Sequence, residues 1–132
     1  MTHTPSPEAT AAGPLLIHLY QLTMAQLYFD EGIHETSAMF EHFFRSYPDY
    51  GTHQAGYCIE AGLEGLLDWM TDHSFDDRSL EYLGDLEDSK GGRIFKPAFL
   101  EWLGTMDFRQ LEVWSVPEGR VVHAGVTLSI IE

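Results

Sequence analysis

Along this chain the spacing of apolar residues changes period several times, and each change marks an expected element. Over residues 19–31 the spacing is helical: Tyr20, Met24, Leu27 and Tyr28 form one strip, and Leu22, Ala25 and Phe29 form a second. Thr23, Gln26 and Asp30 make the only clear polar strip. A helix this apolar around its circumference packs on more than one side or lies in a subunit interface, and Gly32 supplies its stop. Residues 37–45 are rich in aromatics and predict a strand. Neither of its faces is cleanly polar, so its expected place is the centre of a sheet.

Residues 47–54 hold Pro48, Asp49, Gly51 and Thr52 and read as a loop. A short strand is expected over 56–59. Ile59, Leu63, Leu66, Leu67 and Met70 then fall at helical spacing. Asp76 is placed to cap a helix over 77–83, residues 85–93 predict an acidic surface loop, and Pro97 suits the first turn of a helix ending near Leu103. Three β-branched runs close the chain, at 111–116, 120–123 and 127–132, with Pro117-Glu118-Gly119 and Ala124-Gly125 as the turns between them. The order predicts an α+β fold of mixed helices and antiparallel sheet, with the first helix beside a sheet that holds 37–45 and the strands from 111 onward. Residues 1–13, nearly free of apolar bulk, are expected to be a disordered tail, leaving 14–132 as one domain.

The 132 residues suffice for one hydrophobic core. A net charge of −14, from 21 acidic and 7 basic side chains, excludes a nucleic-acid or anionic-membrane partner and any large phosphate-binding surface made by this chain alone. Cys58 is the only cysteine, so neither an internal disulfide nor a thiolate metal cluster is expected. No apolar run is long enough for a membrane span and no signal peptide is recognisable, which makes a cytoplasmic protein the expectation. The 7 histidines show no metal-binding spacing. The carboxylates from Asp76 to Asp88 lack the order of a calcium loop and read as a solvated face.

The run Leu19-Tyr20-Gln21-Leu22-Thr23-Met24-Ala25 resembles the opening of the nicotinate phosphoribosyltransferase family. The resemblance continues, in the family's order, through Met39-Phe40-Glu41-His42-Phe43-Phe44-Arg45, Ala61-Gly62-Leu63-Glu64 and Val116-Pro117-Glu118-Gly119. It implies the N-terminal domain of a type II phosphoribosyltransferase without its catalytic barrel. The implied reaction is the ATP-dependent union of nicotinate and phosphoribosyl pyrophosphate into nicotinate mononucleotide, for NAD salvage. ATP and Mg would be bound mainly by the missing barrel, and the assembly implied is a homodimer.

The same resemblance marks Tyr20, Arg45 and His18 as substrate-binding positions. An aromatic at Tyr20 would stack on the pyridine ring in the neighbouring subunit's site. Arg45 would hold phosphate oxygens, for which a guanidinium fork is better shaped than an ammonium. His18 stands where the family usually carries an acidic residue. Either the substrate is handled differently there or the position has left catalytic demand. No residue of this chain is expected to be catalytic by itself, and the chain alone is expected to be inactive. The alternative to an enzyme part is a non-catalytic remnant that serves as an interaction or dimerisation module.

Overall fold

The computed structural model describes residues 13–53 and 55–132, so the expected tail lies outside the described residues except for Gly13. The elements in chain order are α1 (Leu19–Asp30), β1 (Phe40–His42), β2 (Cys58–Ile59), α2 (Leu63–Asp72), α3 (Asp77–Asp85), α4 (Pro97–Leu103), a 3-10 turn (Phe108–Gln110), β3 (Val113–Ser115), β4 (Val121–Val122) and β5 (Ser129–Ile131). This is the α+β fold expected. Two compact units share the described residues: a helical one that takes in 13–36 and 69–108, and a strand-rich one that takes in the described part of 37–68 and 109–132.

In the helical unit, Leu22, Phe75, Leu83, Phe95, Phe99 and Leu103 form the buried core, with Leu15, Ala25, Phe29 and Trp102 packed against it. The inner side of α1 is therefore its second strip, and the partners of that strip are α3, α4 and their flanking aromatics, where a sheet was expected. The strip of Tyr20, Met24, Leu27 and Tyr28 is exposed. Gln26, counted above with the polar strip, also turns inward. Its amide donates to the Ile94 carbonyl at 3.0 Å and its carbonyl oxygen accepts from the Lys96 N–H at 2.7 Å. Because Lys96 is the residue that caps α4, this one side chain ties α1 to the start of α4, and a Lys96–Asp30 ion pair of 2.8 Å adds to it. Gly32 ends α1 as expected. Its φ of 70° lies in the left-handed region open to glycine, and the N–H groups of Gly32 and Ile33 return to the carbonyls of Phe29 and Tyr28.

Asp76 caps α3 as expected, accepting from the Ser79 N–H at 2.8 Å and from its hydroxyl at 2.5 Å. The Ser79 hydroxyl, then its N–H, hold the Asp76 carboxyl below the ordinary value of 3.8. A lowered folded pKa contributes stability that is present above the unfolded value and is lost as pH falls through the folded one. Thermal melting of Asp76→Asn should therefore depend less on pH than that of the parent, from about pH 5 downward. Equal pH dependence of the two would contradict this linkage.

In the strand-rich unit a three-stranded sheet has the order β1-β5-β3 and a two-stranded sheet pairs β2 with β4, all pairs antiparallel. Residues 37–45 were expected at the centre of a sheet, but β1 is an edge and β5 is the centre. Apolarity on both faces of a strand reports what can lie over those faces, whereas centrality depends on which edges find hydrogen-bonding partners. Here Phe40 is 66% exposed and both faces of β1 are open. Ile59 likewise leaves the helical pattern assigned to it and pairs with Val121 in the second sheet.

Candidate functional site

His18 and Tyr20 are placed together at the start of α1. His18 caps the helix in an extended conformation, with φ −71° and ψ 136°. Residues two apart inside a helix point to different sides. The extended cap swings the imidazole round, so that it stacks on the Tyr20 ring at 5.7 Å with 20° between the planes. The Gln21 side chain fixes the cap by accepting the His18 N–H at 3.1 Å. Leu16, Ile17, His18 and Gln21 bound an open hollow of about 350 Å³. Tyr20 itself is 60% exposed, so its ring is open to a partner rather than spent in the core.

Arg45 belongs to the strand-rich unit, three residues beyond β1, and it is exposed. The backbone on either side of it is anchored. Before it, the Phe44 carbonyl accepts from the Gly125 N–H at 2.9 Å. After it, the Tyr47 hydroxyl and His123 Nδ1 are hydrogen-bonded at 2.8 Å, and the Phe44 and Tyr47 rings meet edge-on at 5.7 Å. Arg93 and Lys96 are paired with Asp85 and Asp30. The Arg45 guanidinium makes no such pair among the described residues. Nothing in the spacing of Tyr47 and His123 pointed to their pairing, because they lie 76 residues apart.

The remaining family motifs meet in the same unit. Glu118, in the turn before β4, accepts from the N–H groups of Gly62 and Leu63 at 2.5 and 2.7 Å, at the start of α2. Just after it, the Gly119 N–H donates to the Glu60 carbonyl and the Glu60 N–H to the Arg120 carbonyl, both at 2.9 Å. A carboxylate in this position satisfies donors that the first helical turn leaves unpaired and favours the positive end of the helix dipole. Glu118→Ala should lower stability by roughly 1 kcal/mol, the ordinary cost of losing an N-terminal cap, whereas Glu118→Gln should cost less. Urea denaturation of the three proteins measures both. Near this cap, His42, Ser115, Ser129, Leu63, Leu66 and Ile131 line a mainly apolar hollow of about 390 Å³, in which His42 Nδ1 is 3.2 Å from the Ser129 hydroxyl.

The profile of the nicotinate phosphoribosyltransferase N-terminal domain matches residues 15–131. The chain belongs to the nicotinate phosphoribosyltransferase family. A nicotinate phosphoribosyltransferase of Mycobacterium tuberculosis is 36% identical over 110 residues, covering 83% of this chain and 21% of the relative. The human nicotinate phosphoribosyltransferase is 34% identical over 123 residues, covering 92% of this chain and 21% of its own length. The Bacillus subtilis one is 43% identical over 67 residues, covering 51% of this chain and 13% of its own length. The chain thus spans about a fifth of the length of the Mycobacterium tuberculosis and human relatives. As a member of the nicotinate phosphoribosyltransferase family it contributes the N-terminal domain. Among the described residues no helix is long and apolar enough to cross a membrane.

Proposed function

We propose that this domain works in a nicotinate phosphoribosyltransferase that joins nicotinate to phosphoribosyl pyrophosphate, yielding nicotinate mononucleotide and pyrophosphate for NAD salvage in the cytoplasm. The observation that carries the reading is the open ring of Tyr20, on a family-matched run and in the first turn of a helix whose outer strip is exposed among the described residues. In the reaction the pyridine nitrogen attacks C1 of the ribose as pyrophosphate departs. Positioning of the ring and neutralisation of the leaving anion lower the barrier. Tyr20 would serve the first by stacking on the flat ring, in the active site of the partner subunit of a homodimer. Arg45 would serve the second through paired hydrogen bonds to phosphate oxygens. The other groups would come from a barrel domain.

ATP and magnesium belong to this proposal for the whole enzyme, with ATP hydrolysis coupled to the transfer. Among the described residues no group of three or more His, Cys, Asp and Glu side chains is placed to hold a metal ion, and magnesium would be held mainly by the barrel and the substrate phosphates.

Steady-state kinetics of the assembled enzyme test the assignment of Tyr20. Tyr20→Ala should lower kcat/KM for nicotinate by several-fold or more, as expected from an aromatic stack of about 1 kcal/mol. Tyr20→Phe should stay near the parent, since it retains the ring face. Equal effects of the two substitutions would remove Tyr20 from the ring site. A second reading, an interaction or dimerisation module without catalysis, draws on the same exposed strip of α1. It predicts that Tyr20→Ala weakens assembly while any activity of the assembled protein is unchanged.

A further inference from the structure

We infer that His18 is a positioning residue for Tyr20, holding its ring in the orientation that receives the pyridine; this rests on the reading of Tyr20 given above. An exposed tyrosine on the first turn of a helix is free to sample several rotamers, and a substrate that must stack on it pays for ordering it. The structure supplies a device that orders it beforehand. The extended cap at His18 brings the imidazole, 5.7 Å away and nearly parallel, onto the Tyr20 ring, within the range of offset stacking. Gln21 holds that cap through the His18 N–H.

An acidic side chain at position 18 could cap the helix, but it has no π face to lay against Tyr20. Histidine can cap less well and stack instead. The departure from the acidic residue thus adds a ring face at the start of the helix. The imidazole acts on the substrate through Tyr20, and its effect belongs to binding of the pyridine, not to the departure of pyrophosphate.

The test uses the full-length enzyme that carries this domain, with His18→Ala, His18→Asp and His18→Phe, and with Tyr20→Ala for comparison. One readout is structural: the Tyr20 ring resonances in selectively labelled protein, identified by their loss in Tyr20→Phe. The other is kinetic. His18→Ala and His18→Asp should shift the Tyr20 resonances through loss of the neighbouring ring. They should raise KM for nicotinate roughly two- to tenfold, in keeping with the strength of an aromatic pair, and leave kcat and KM for phosphoribosyl pyrophosphate unchanged. His18→Phe should keep a ring-current shift and restore KM. The inference is overturned if the Tyr20 resonances do not respond to His18→Ala, or if Phe fails to rescue. It is also overturned if KM for nicotinate is unmoved by His18→Ala while Tyr20→Ala raises it, an outcome that leaves the proposed function standing. If Tyr20→Ala itself leaves nicotinate use intact, the reading of Tyr20 falls and the role of His18 falls with it.

Discussion

Phe99→Ala is expected to lower the stability of the helical unit by about 3–5 kcal/mol, the usual range for deleting a buried phenyl ring. Phe99 is 0% exposed and is the point where the aromatic packing of this unit converges. It stacks on Phe95 at 5.7 Å, meets Phe29 edge-on at 5.9 Å and lies 5.7 Å from Trp102. Truncation removes the transfer energy of the ring and leaves a cavity whose walls come from α1, α4 and the segment before α4. These are tied together by Gln26 and cannot collapse freely. Native proteins are stable by only about 5–15 kcal/mol, so a loss of this size is a large part of the total. Guanidinium denaturation followed by far-UV circular dichroism measures it. Phe99→Leu should cost less, because it keeps most of the volume. A loss below about 1 kcal/mol for alanine would mean that the site repacks and that the core is not organised around this ring.

Arg45→Ala is expected to lower kcat/KM for phosphoribosyl pyrophosphate by roughly ten- to a hundredfold in the assembled enzyme, equivalent to hydrogen bonds of about 1.5–3 kcal/mol to a charged group. KM for nicotinate should hardly move. Arg45→Lys should recover only part of the loss, since a point charge cannot reproduce two parallel hydrogen bonds. The prediction follows from position as much as from charge. The guanidinium carries no ion pair among the described residues, and the backbone on either side is pinned through Phe44 and Tyr47. Tyr47→Phe should therefore produce a weaker form of the same defect, by loosening the segment while leaving the guanidinium in place. If Arg45→Ala affects both substrates alike, Arg45 acts on folding or assembly instead.

Local signals were legible in the sequence. Gly32, Asp76 and Pro97 each act within a turn of their own position, through a left-handed backbone, a cap and a fixed φ, and the helix ends they predict agree with those observed. Two kinds of feature were not legible. One is the choice between equally apolar strips. Period alone showed both strips of α1, but only the packed structure shows that Leu22, Ala25 and Phe29 face the core and that the strip with Tyr20 does not. The other is long-range polar pairing. Gln26 with Lys96, Glu118 with Gly62, and Tyr47 with His123 join groups far apart in the chain, and no spacing rule connects them. The same blindness put 37–45 at the centre of a sheet. Strand order depends on β5, which finds β1 on one side and β3 on the other, while β4 leaves to pair with β2.

For the candidate site, periodicity alone would have assigned Tyr20 to a buried face. The resemblance to the family opening singles it out, and in the structure its ring is exposed. The stacking of His18 on Tyr20 depends on the cap conformation, which residue identity does not disclose.

The sheet order also sets a timetable for synthesis. His42 and Ser129, opposite each other in β1 and β5, are separated by 87 residues, so β1 emerges from the ribosome long before its neighbour exists. At about 5–20 residues per second the wait is roughly 4–17 s, far longer than the microseconds in which a local hairpin closes. The helical unit has all its residues by Phe108 and can begin to fold during that wait. Met39, Phe40 and Phe43 have no such outlet: an aromatic strand with two open edges is the form of nascent chain most prone to pair with another copy. Pausing of translation between the codons for β1 and β5 should therefore lower the soluble yield more than an equal pause placed before β1.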